Sequence, residues 1–269
     1  MSAALELDRV DVRYDGRRRN DVAVEALSDV SLTIAAGERV AIVGRSGAGK
    51  STVVRLACGL ASCRKGHVRS LGVDPATLGR RELRRLRQRM HLVFQDPYQS
   101  LHPGLGVGRL VGEPMAIAGT PKADRRDRIV EALARVGLTP PDRFLDRRAG
   151  SLSGGQRQRV AIARALVAAP ELILADEPSS MLDASLRATI ADLLLELQQE
   201  RSATLVFITH DLALARHVAD RIIVLADGSV VEDRPTEDLL ADPRHRETLA
   251  LLAAAGHRRK PAPKVGDVG

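Results

Sequence analysis

The stretch Glu38–Leu60 reads ERVAIVGRSGAGKSTVVRLACGL and passes from a compact apolar strand through a glycine-rich turn into a helix. Within it, Gly44–Thr52 (GRSGAGKST) fits the pattern G-x-x-x-x-G-K-[ST] of a phosphate-binding loop. That pattern requires a strand before it and a helix after it, and both are predicted here. The alternative is a glycine turn with a surface lysine, and the strand-turn-helix context weighs against it. We therefore predict a phosphate-binding site at this loop.

The residue types in the loop suit phosphate binding. Glycines let backbone N–H groups close around phosphate oxygens, and the start of the helix adds its dipole. Lys50 would reach the β- and γ-phosphates of a nucleotide, and the hydroxyl of Ser51 would bind Mg²⁺. These residues predict a nucleoside triphosphate and a metal ion as the ligands.

A second apolar strand, Leu172–Pro178 (LILADEP), supplies carboxylates that the loop lacks. Asp176 would hold Mg²⁺ through its water shell, because this hard cation prefers oxygen ligands and keeps several waters. Glu177 follows at the strand end, where a carboxylate could polarise an attacking water. Taken alone, an Asp-Glu pair that closes a strand is commonly a helix-capping device. Beside a phosphate loop, the pair indicates metal-binding and general-base roles.

Two further polar residues follow predicted strands. His210 ends TLVFITH and would face the crevice where nucleotides bind in a parallel sheet. Gln95 ends HLVFQ and could be a ligand of Mg²⁺ and of the attacking water. A lone histidine after a strand is more often structural, and a glutamine is by default a surface residue. Their functional interpretation therefore depends on the loop and the carboxylates.

The composition is that of a globular protein with an excess of positive charge. The 269 residues are 44% hydrophobic and 28% charged and carry a formal net charge of +7, and this length fits one large core or two modest ones. Such charge permits binding to nucleic acid or to an anionic membrane surface. An arginine-rich run, Gly79–Met90, concentrates the charge on a predicted amphipathic helix with a solvated face. With only two Tyr, three Phe and no Trp, the chain offers no stacking platform for single-stranded nucleic acid.

Neither a membrane span nor a secretion signal is indicated. The apolar runs fall short of the roughly 18–20 residues that a span requires, and the N-terminus, MSAALELDRV, lacks the features of a signal peptide. We therefore expect a cytoplasmic location. The cysteines Cys58 and Cys63 are too few for a disulfide framework. With His67 they do not complete a four-ligand metal site, so we interpret them as ordinary thiols.

The order of the predicted elements indicates an α/β protein. The first thirty-odd residues alternate as short antiparallel strands do, and later strands alternate with helices, which implies a mainly parallel sheet. A predicted helical insertion interrupts this order between Asp96 and Gly150. Asp227-Gly228 joins two β-like runs as a hairpin.

A second glycine pair opens another predicted helix at Leu152–Arg159 (LSGGQRQR), this time without a lysine. Together with the residues above, it resembles the ATP-binding cassette ATPases, the nucleotide-binding subunits of ABC transporters. LSGGQ is the signature of that family and ends 20 residues before Asp176. The resemblance covers about residues 5–250. It implies an α/β fold: a P-loop NTPase core with a mainly parallel sheet, an N-terminal antiparallel β subdomain and an inserted α-helical subdomain.

The resemblance also implies a domain organisation. Residues 1–255 would form a single ABC ATPase domain. Its core and β subdomain would occupy residues 1–95 and 160–255, and the helical subdomain with the signature would occupy about residues 96–159. The polar segment 256–269 is expected to be a flexible tail.

Residue by residue, the resemblance implies a site for ATP and Mg²⁺. Tyr14 would stack on adenine, Asp183 in SSMLD would communicate across a dimer, and His210 would be the γ-phosphate switch. The implied metal ligands are Ser51, Gln95 and, through water, Asp176. The implied catalytic residues are Glu177, His210, Gln95 and Lys50, and the implied phosphate-binding residues are Gly44, Arg45, Ser46, Gly47, Ala48, Gly49, Lys50, Ser51 and Thr52.

In this family two cassettes face each other head to tail, and ATP lies between the phosphate loop of one and the signature of the other. Bare glycine backbones and a serine hydroxyl at a helix start can approach a γ-phosphate that Lys50 and Mg²⁺ already neutralise, so no second lysine is needed. The signature residues would then serve the ATP of the opposite chain. These residues are Ser153, Gly154, Gly155 and Gln156.

A narrower resemblance lies in Phe94–Met115 (FQDPYQSLHPGLGVGRLVGEPM), which is similar to a segment of peptide and nickel importer ATPases. It implies an ATP-hydrolysing importer subunit, bound peripherally at the cytoplasmic face of the membrane to two permease subunits. A substrate-binding protein and a second, nonidentical cassette are the other expected partners, and no nucleic acid is expected. Gln95 and the helical insertion would sense the membrane partner. The short chain favours nickel-type or compact dipeptide-type members.

Two other classes of protein are the alternatives. One is an ABC ATPase acting on DNA or ribosomes, which would give the basic charge a purpose but typically carries long coiled coils or two cassettes in one chain. The other is a soluble P-loop kinase, and the LSGGQ sequence and the helical insertion argue against it.

Overall fold

Alternating side chains along the first part of the chain form a small antiparallel sheet. In the computed structural model, which describes residues 2–15, 23–94, 101–178 and 184–255, this sheet has the strand order β2-β1-β4. Its strands are β1 (Ala3–Tyr14), β2 (Val24–Ala35) and β4 (Lys65–Ser70). Leu5, Leu7 and Val12 of β1 are buried, so one face of this sheet packs into the molecule, as an antiparallel sheet commonly does.

A six-stranded sheet forms the centre of the molecule, in the order β5-β6-β7-β3-β8-β9. The pairs from β5 to β8 are parallel, and β9 is antiparallel to β8. Asp227 and Gly228 join the last two strands with φ values of 46° and 78°, as a two-residue hairpin turn requires. The strands are β3 (Arg39–Val43), β5 (Met90–Val93), β6 (Leu172–Asp176), β7 (Thr204–Thr209), β8 (Arg221–Ala226) and β9 (Ser229–Pro235).

Both faces of the central sheet are buried, which explains why its strands are continuous apolar runs. Val40 and Ile42 of β3 pack in a core shared with the antiparallel sheet and the helix after the phosphate loop. Ala41 and Val43 pack in a second core with most of the other helices. Because neighbouring residues of a strand point to opposite faces, one strand contributes to both cores.

Helices cover the central sheet and connect its parallel strands, as such connections require. Among the described helices, none has the length and apolar character needed to cross a bilayer. They are α1 (Lys50–Ala57), α2 (Arg80–Gln88), α3 (Val107–Ile117), α4 (Lys122–Arg135), α5 (Asp142–Leu145), α6 (Gly154–Ala168), α7 (Ala184–Arg201), α8 (Leu212–Val218), α9 (Thr236–Ala241) and α10 (Arg246–Ala254).

The helical insertion shares its core with the sheet. Leu110 of α3, Leu133 of α4 and Ile162 of α6 belong to the same buried cluster as residues of the central strands, and Arg164 of α6 pairs with Glu113 of α3. The predicted subdomain boundary after residue 159 falls inside α6, because that helix begins at the signature and ends against the sheet. The division into subdomains stays a prediction.

Candidate functional site

The carboxyl ends of three neighbouring strands bring the sequence-predicted residues together. The strands β6, β7 and β3 lie side by side in that order. Gly44 follows β3, Asp176 and Glu177 close β6, and His210 follows β7. In an open α/β sheet this edge is where ligands bind.

At Gly49 the phosphate loop has a backbone that glycine alone accepts. Gly49 has a φ of 100°, and a Cβ there would lie 2.4 Å from the carbonyl oxygen of Ala26 in β2. A side chain would therefore be strained by its backbone conformation and would collide with the neighbouring sheet. The helix α1 starts directly afterwards at Lys50, so its first N–H groups point toward the loop.

Lys50 is buried and held by oxygen atoms in this arrangement. Its Nζ donates hydrogen bonds to the carbonyl oxygens of Gly44 at 2.8 Å and Arg45 at 2.9 Å, and it lies 3.7 Å from Oε1 of Glu177. Burial lowers the pKa of Lys50, while the carboxylates of Glu177 and Asp176 oppose that shift. A phosphate group entering the loop would give the ammonium group a stronger anionic partner.

Asp176 and Ser51 form the oxygen pair expected for a metal ion. The Ser51 hydroxyl donates to Oδ1 of Asp176 at 3.0 Å. Burial raises the pKa of Asp176, and that hydrogen bond offsets the rise only in part. The carboxylate therefore lacks a sufficient positive partner. A hydroxyl and an incompletely compensated carboxylate are a donor set that suits Mg²⁺. Among the described residues, no group of three or more His, Cys, Asp or Glu could hold a metal ion alone.

Glu177 lies between Lys50 and His210. Its Oε2 is 3.5 Å from Nδ1 of His210, whose side chain is 56% exposed. Glu177 has a φ of 46°, a left-handed conformation that typically costs about 1–3 kcal/mol for a residue other than glycine. The backbone N–H of Glu177 donates to the carbonyl oxygen of Ile208 at 3.0 Å, which helps to hold this conformation at the strand end.

Other predicted residues lie at the margins of the site or outside the described chain. Tyr14 is the last residue of β1 and is 37% exposed. It pairs with Val24 of β2. Val24 lies two residues before Ala26, whose carbonyl oxygen lies beside the loop. Gln95 and Asp183 lie outside the described residues, so their predicted metal-binding and communication roles stay predictions.

The signature residues form the capped start of α6. The hydroxyl oxygen of Ser153 accepts a hydrogen bond from the Gln156 N–H at 3.3 Å, and Oε1 of Gln156 accepts one from the Ser153 N–H at 3.2 Å. This reciprocal capping box fixes the first turn. A Cβ built on Gly154 would meet no atom within 4 Å, so the space beside this glycine is open to another molecule.

The helix α10 borders the phosphate loop, and the sequence does not predict this position. A cavity of about 430 Å³ lies between Arg45–Ala48 of the loop and α10, which contributes Arg246, Glu247 and Ala250. The field of Glu247 is the weakest of the influences that raise the pKa of Lys50. Nothing local in the sequence signals this proximity, because about two hundred residues separate the loop from α10.

A buried carboxylate fixes the position of α10. Oε1 of Glu232 in β9 accepts hydrogen bonds from the backbone N–H groups of Arg244 and His245 at 3.1 and 2.5 Å and from the Thr248 hydroxyl at 2.6 Å. Glu232 is 7% exposed, and burial makes such bonds costly to lose. The wall of the cavity is therefore rigidly attached to the sheet.

A phosphate loop between a strand and a helix, with an aspartate beside the loop serine, defines the P-loop class of nucleoside-triphosphate-binding proteins. The family profile described as ABC transporter matches residues 27–180. The chain belongs to the ABC transporter family, and the family predicted from the sequence is confirmed.

Similar proteins agree with this assignment. The chain is 46% identical over 232 residues to a protein of Brucella ovis named for peptide import and ATP binding, a match that covers 86% of the chain and 73% of the relative. It is 41% identical to the oligopeptide transport ATP-binding protein OppD of Mycobacterium tuberculosis, over 88% of the chain and 38% of the relative. The dimeric ATP-binding cassette MJ0796, solved in a post-hydrolysis state with ADP and Pi, superposes with a TM-score of 0.76 at 35% identity, covering 86% of this chain and 98% of that one.

These findings confirm three further predictions: the fold, the enzymatic activity and the cofactors. The fold is that of the ABC ATPase cassettes, with a mixed central sheet, an N-terminal antiparallel sheet and surrounding helices. As a cassette of this family, the chain is an ATPase, and it uses ATP with Mg²⁺.

Proposed function

We propose that the chain is the ATP-hydrolysing subunit of an importer that moves peptides across the cytoplasmic membrane. It would bind peripherally at the cytoplasmic face to two permease subunits and work with a substrate-binding protein and a second, nonidentical cassette. The relatives from Brucella and Mycobacterium, named for peptide import and oligopeptide transport, support the cargo. The sequence also suggests nickel as a cargo, and the names of these relatives favour peptides.

The observation that carries the catalytic part of the proposal is the position of Glu177. Its two carboxylate oxygens lie 3.7 Å from Lys50 Nζ and 3.5 Å from His210 Nδ1. In the proposed reaction, Glu177 accepts a proton from a water molecule as the water oxygen attacks the γ-phosphorus. The bond from that phosphorus to the bridging oxygen breaks, and ADP and phosphate leave.

The remaining side chains bind and orient the nucleotide. Lys50 would exchange its contact with Glu177 for the β- and γ-phosphates, which frees the carboxylate to orient water. Ser51 and Asp176 would hold Mg²⁺, whose contribution is to neutralise charge on the phosphate oxygens. His210 would hold the γ-phosphate, with Glu177 between His210 and Lys50. Tyr14 would support the adenine.

The second half of each site would come from another cassette. The capped helix start at Ser153 and the open space beside Gly154 support contact with the γ-phosphate of an ATP bound to the opposite subunit. Interactions available only in the closed dimer would favour closure, and hydrolysis would remove them.

The helical insertion is the proposed contact with the permease. A cavity of about 640 Å³ lies between α3, α4 and α5, with Leu110 and Ile129 at its base and Arg109, Glu113 and Arg126 among its polar lining residues. A concave surface with an apolar floor and a charged rim suits a protein segment inserted from a partner.

Glu177→Gln tests the catalytic assignment. We expect turnover in the complex to fall about 100-fold or more, the range that a general base contributes, while ATP binding is retained. The matched control is Glu171→Gln, which removes an exposed carboxylate paired with Arg89 at the opposite end of β6. Turnover retained in Glu177→Gln would remove Glu177 as the base.

Uptake into vesicles tests the cargo. The complex, purified from membranes through a tag on this chain and reconstituted with its binding protein, should accumulate labelled peptides in an ATP-dependent manner. The Glu177→Gln complex should not. Accumulation of nickel without any uptake of dipeptides or longer peptides would contradict the peptide assignment.

A further inference from the structure

A buried glutamine joins the signature helix to the catalytic carboxylate segment of the same chain. Gln158 lies in the second turn of α6 and is 2% exposed. Its Nε2 donates a hydrogen bond to the carbonyl oxygen of Pro178 at 2.5 Å. Pro178 directly follows Glu177, so this bond reaches the backbone next to the proposed general base.

The burial of Gln158 makes this hydrogen bond significant. A polar side chain in an apolar core is costly unless it is paired, and the Oε1 of Gln158 is buried without a hydrogen-bond partner among the described residues. Its neighbours Ala161 and Ile162 in α6 are apolar and buried. Within the described chain, the contact of Nε2 with Pro178 is therefore the interaction that favours an amide here over a hydrophobic residue.

Glu177 is consequently held from two sides. Its own N–H is bonded to Ile208 in β7, and the following carbonyl is bonded to Gln158 in α6. Between these two attachments the backbone adopts its left-handed conformation at Glu177. A shift of α6 relative to β7 would therefore rotate the Glu177 side chain with respect to Lys50 and His210.

The same helix carries the signature at its start. Gln158 lies five positions after Ser153, about 7.5 Å along a helix, and the capping box makes the first turn part of the rigid element. A force applied at Ser153 by a bound γ-phosphate would thereby reach the backbone at Pro178.

We infer that Gln158 is a positioning residue that couples the two ATP sites of the cassette dimer: contact of the signature with the partner's ATP sets the orientation of Glu177 for the chain's own ATP. This inference rests on the proposed roles of Glu177 and of the signature. The coupling would pass through a side chain of α6. It would come in addition to the communication across the dimer that is expected of Asp183.

The chain offers a matched control for this bond. Gln198 in α7 is also buried, at 8% exposed, and its Nε2 also donates to backbone carbonyls, those of Gly37 at 3.2 Å and Ala203 at 2.9 Å. These partners precede β3 and β7, at the edge of the sheet opposite the site. Gln158→Met and Gln198→Met therefore remove the same kind of contact near the site and far from it.

The experiment measures turnover against ATP concentration in complexes purified from membranes through a tag on this chain. For Gln158→Met we expect kcat to fall about tenfold, consistent with loss of one buried hydrogen bond, KM to stay within about twofold, and the Hill coefficient to fall toward one. Gln198→Met should keep the wild-type kcat and Hill coefficient even where its melting temperature falls. Gln158→Leu, a second apolar replacement that removes the amide donor, should behave as Gln158→Met.

Three results would decide against the inference. The first is an unchanged kcat and Hill coefficient in both Gln158 variants, and the second is an equal loss of kcat in Gln198→Met. The third is a raised KM with an unchanged kcat, or weaker ATP binding by the isolated chain. Either result would place Gln158 in nucleotide binding. A wild-type complex without ATP turnover would instead contradict the proposed function, so the two failures are distinguishable.

Discussion

At the scale of single residues, the site gathers charges that do not fully compensate one another. Lys50 is buried against two carbonyl oxygens and Glu177, and burial lowers its pKa. Asp176 is half-buried next to a neutral hydroxyl, and this partial burial raises its pKa. Both ions are less stable here than they are in water, and both would gain a partner when MgATP binds. The folded chain thus gives up some stability for affinity, as functional sites often do.

Asp176→Asn should separate stability from activity. Because the folded-state pKa of Asp176 is raised, its ionised form destabilises the fold at neutral pH, and this penalty disappears as pH falls through the folded-state pKa. A neutral amide should therefore raise the melting temperature of the nucleotide-free chain, by about 2–4 °C if the gain is ~1 kcal/mol. Calorimetry in the absence of nucleotide measures this, and Mg²⁺-dependent turnover should be lost.

The comparison variant is Asp127→Asn, an exposed carboxylate on α4. It should leave the melting temperature and turnover within error of the wild type. A lower melting temperature in Asp176→Asn would mean that Lys50 and Arg55, which favour its charged form, outweigh the effect of burial.

At the scale of elements, the sequence predicted what local patterns encode. The strand, loop and helix around Gly44–Thr52 and the strand that ends at Asp176 follow from apolar runs and glycine positions. The strand β4 has little such pattern in KGHVRS; it forms because β1 pairs with it. Nor does the chain order reveal that α10 borders the loop or that Gln158 meets Pro178, since these contacts depend on tertiary packing.

The contact between β5 and α6 gives a testable pH dependence. His91 of β5 has its pKa lowered from 6.5 to about 3 by burial and by the positive charge of Arg164 in α6. Its stabilising contribution is complete above pH 6.5 and is lost as the pH falls from there toward 3, because only the unfolded chain takes up the proton in that range. His91→Gln should therefore lose less stability between pH 7 and pH 4.5, and its acid-unfolding midpoint should lie roughly half a pH unit lower.

Urea unfolding at the two pH values measures this difference. His67→Gln, at an exposed position of β4, is the control and should follow the wild type. An acid loss of stability in His91→Gln as large as in the wild type would assign the loss to other groups.

At the scale of the whole molecule, each cassette would present half of two different sites under the proposed function. The phosphate loop and the carboxylates would form one half, and the start of α6 would form the other. The two halves are joined through the hydrogen bond between Gln158 and Pro178. A defect in the signature should therefore be invisible in the isolated chain and evident only in the assembled complex.

Gly154→Trp tests this division of labour. Since a side chain at Gly154 meets open space in the chain itself, ATP binding to the isolated protein should stay within about twofold, as measured by titration with a fluorescent nucleotide. Turnover of the complex should fall at least about tenfold, because the bulky ring would prevent close approach to the opposite γ-phosphate. Ala134→Trp, on the exposed face of α4, is the control for a surface tryptophan, and loss of ATP binding in isolated Gly154→Trp would contradict the prediction.

The rigid attachment of α10 beside the phosphate loop has a practical consequence for optical measurement. Burial raises the pKa of the Cys58 thiol to about 12 and also raises that of Cys63, so both native thiols react slowly with maleimide dyes at neutral pH. Ala250 is exposed and lines the cavity next to Arg45–Ala48. A dye attached through Ala250→Cys would be held by α10 next to the loop, and its fluorescence would report nucleotide arrival and departure in real time during single transport cycles.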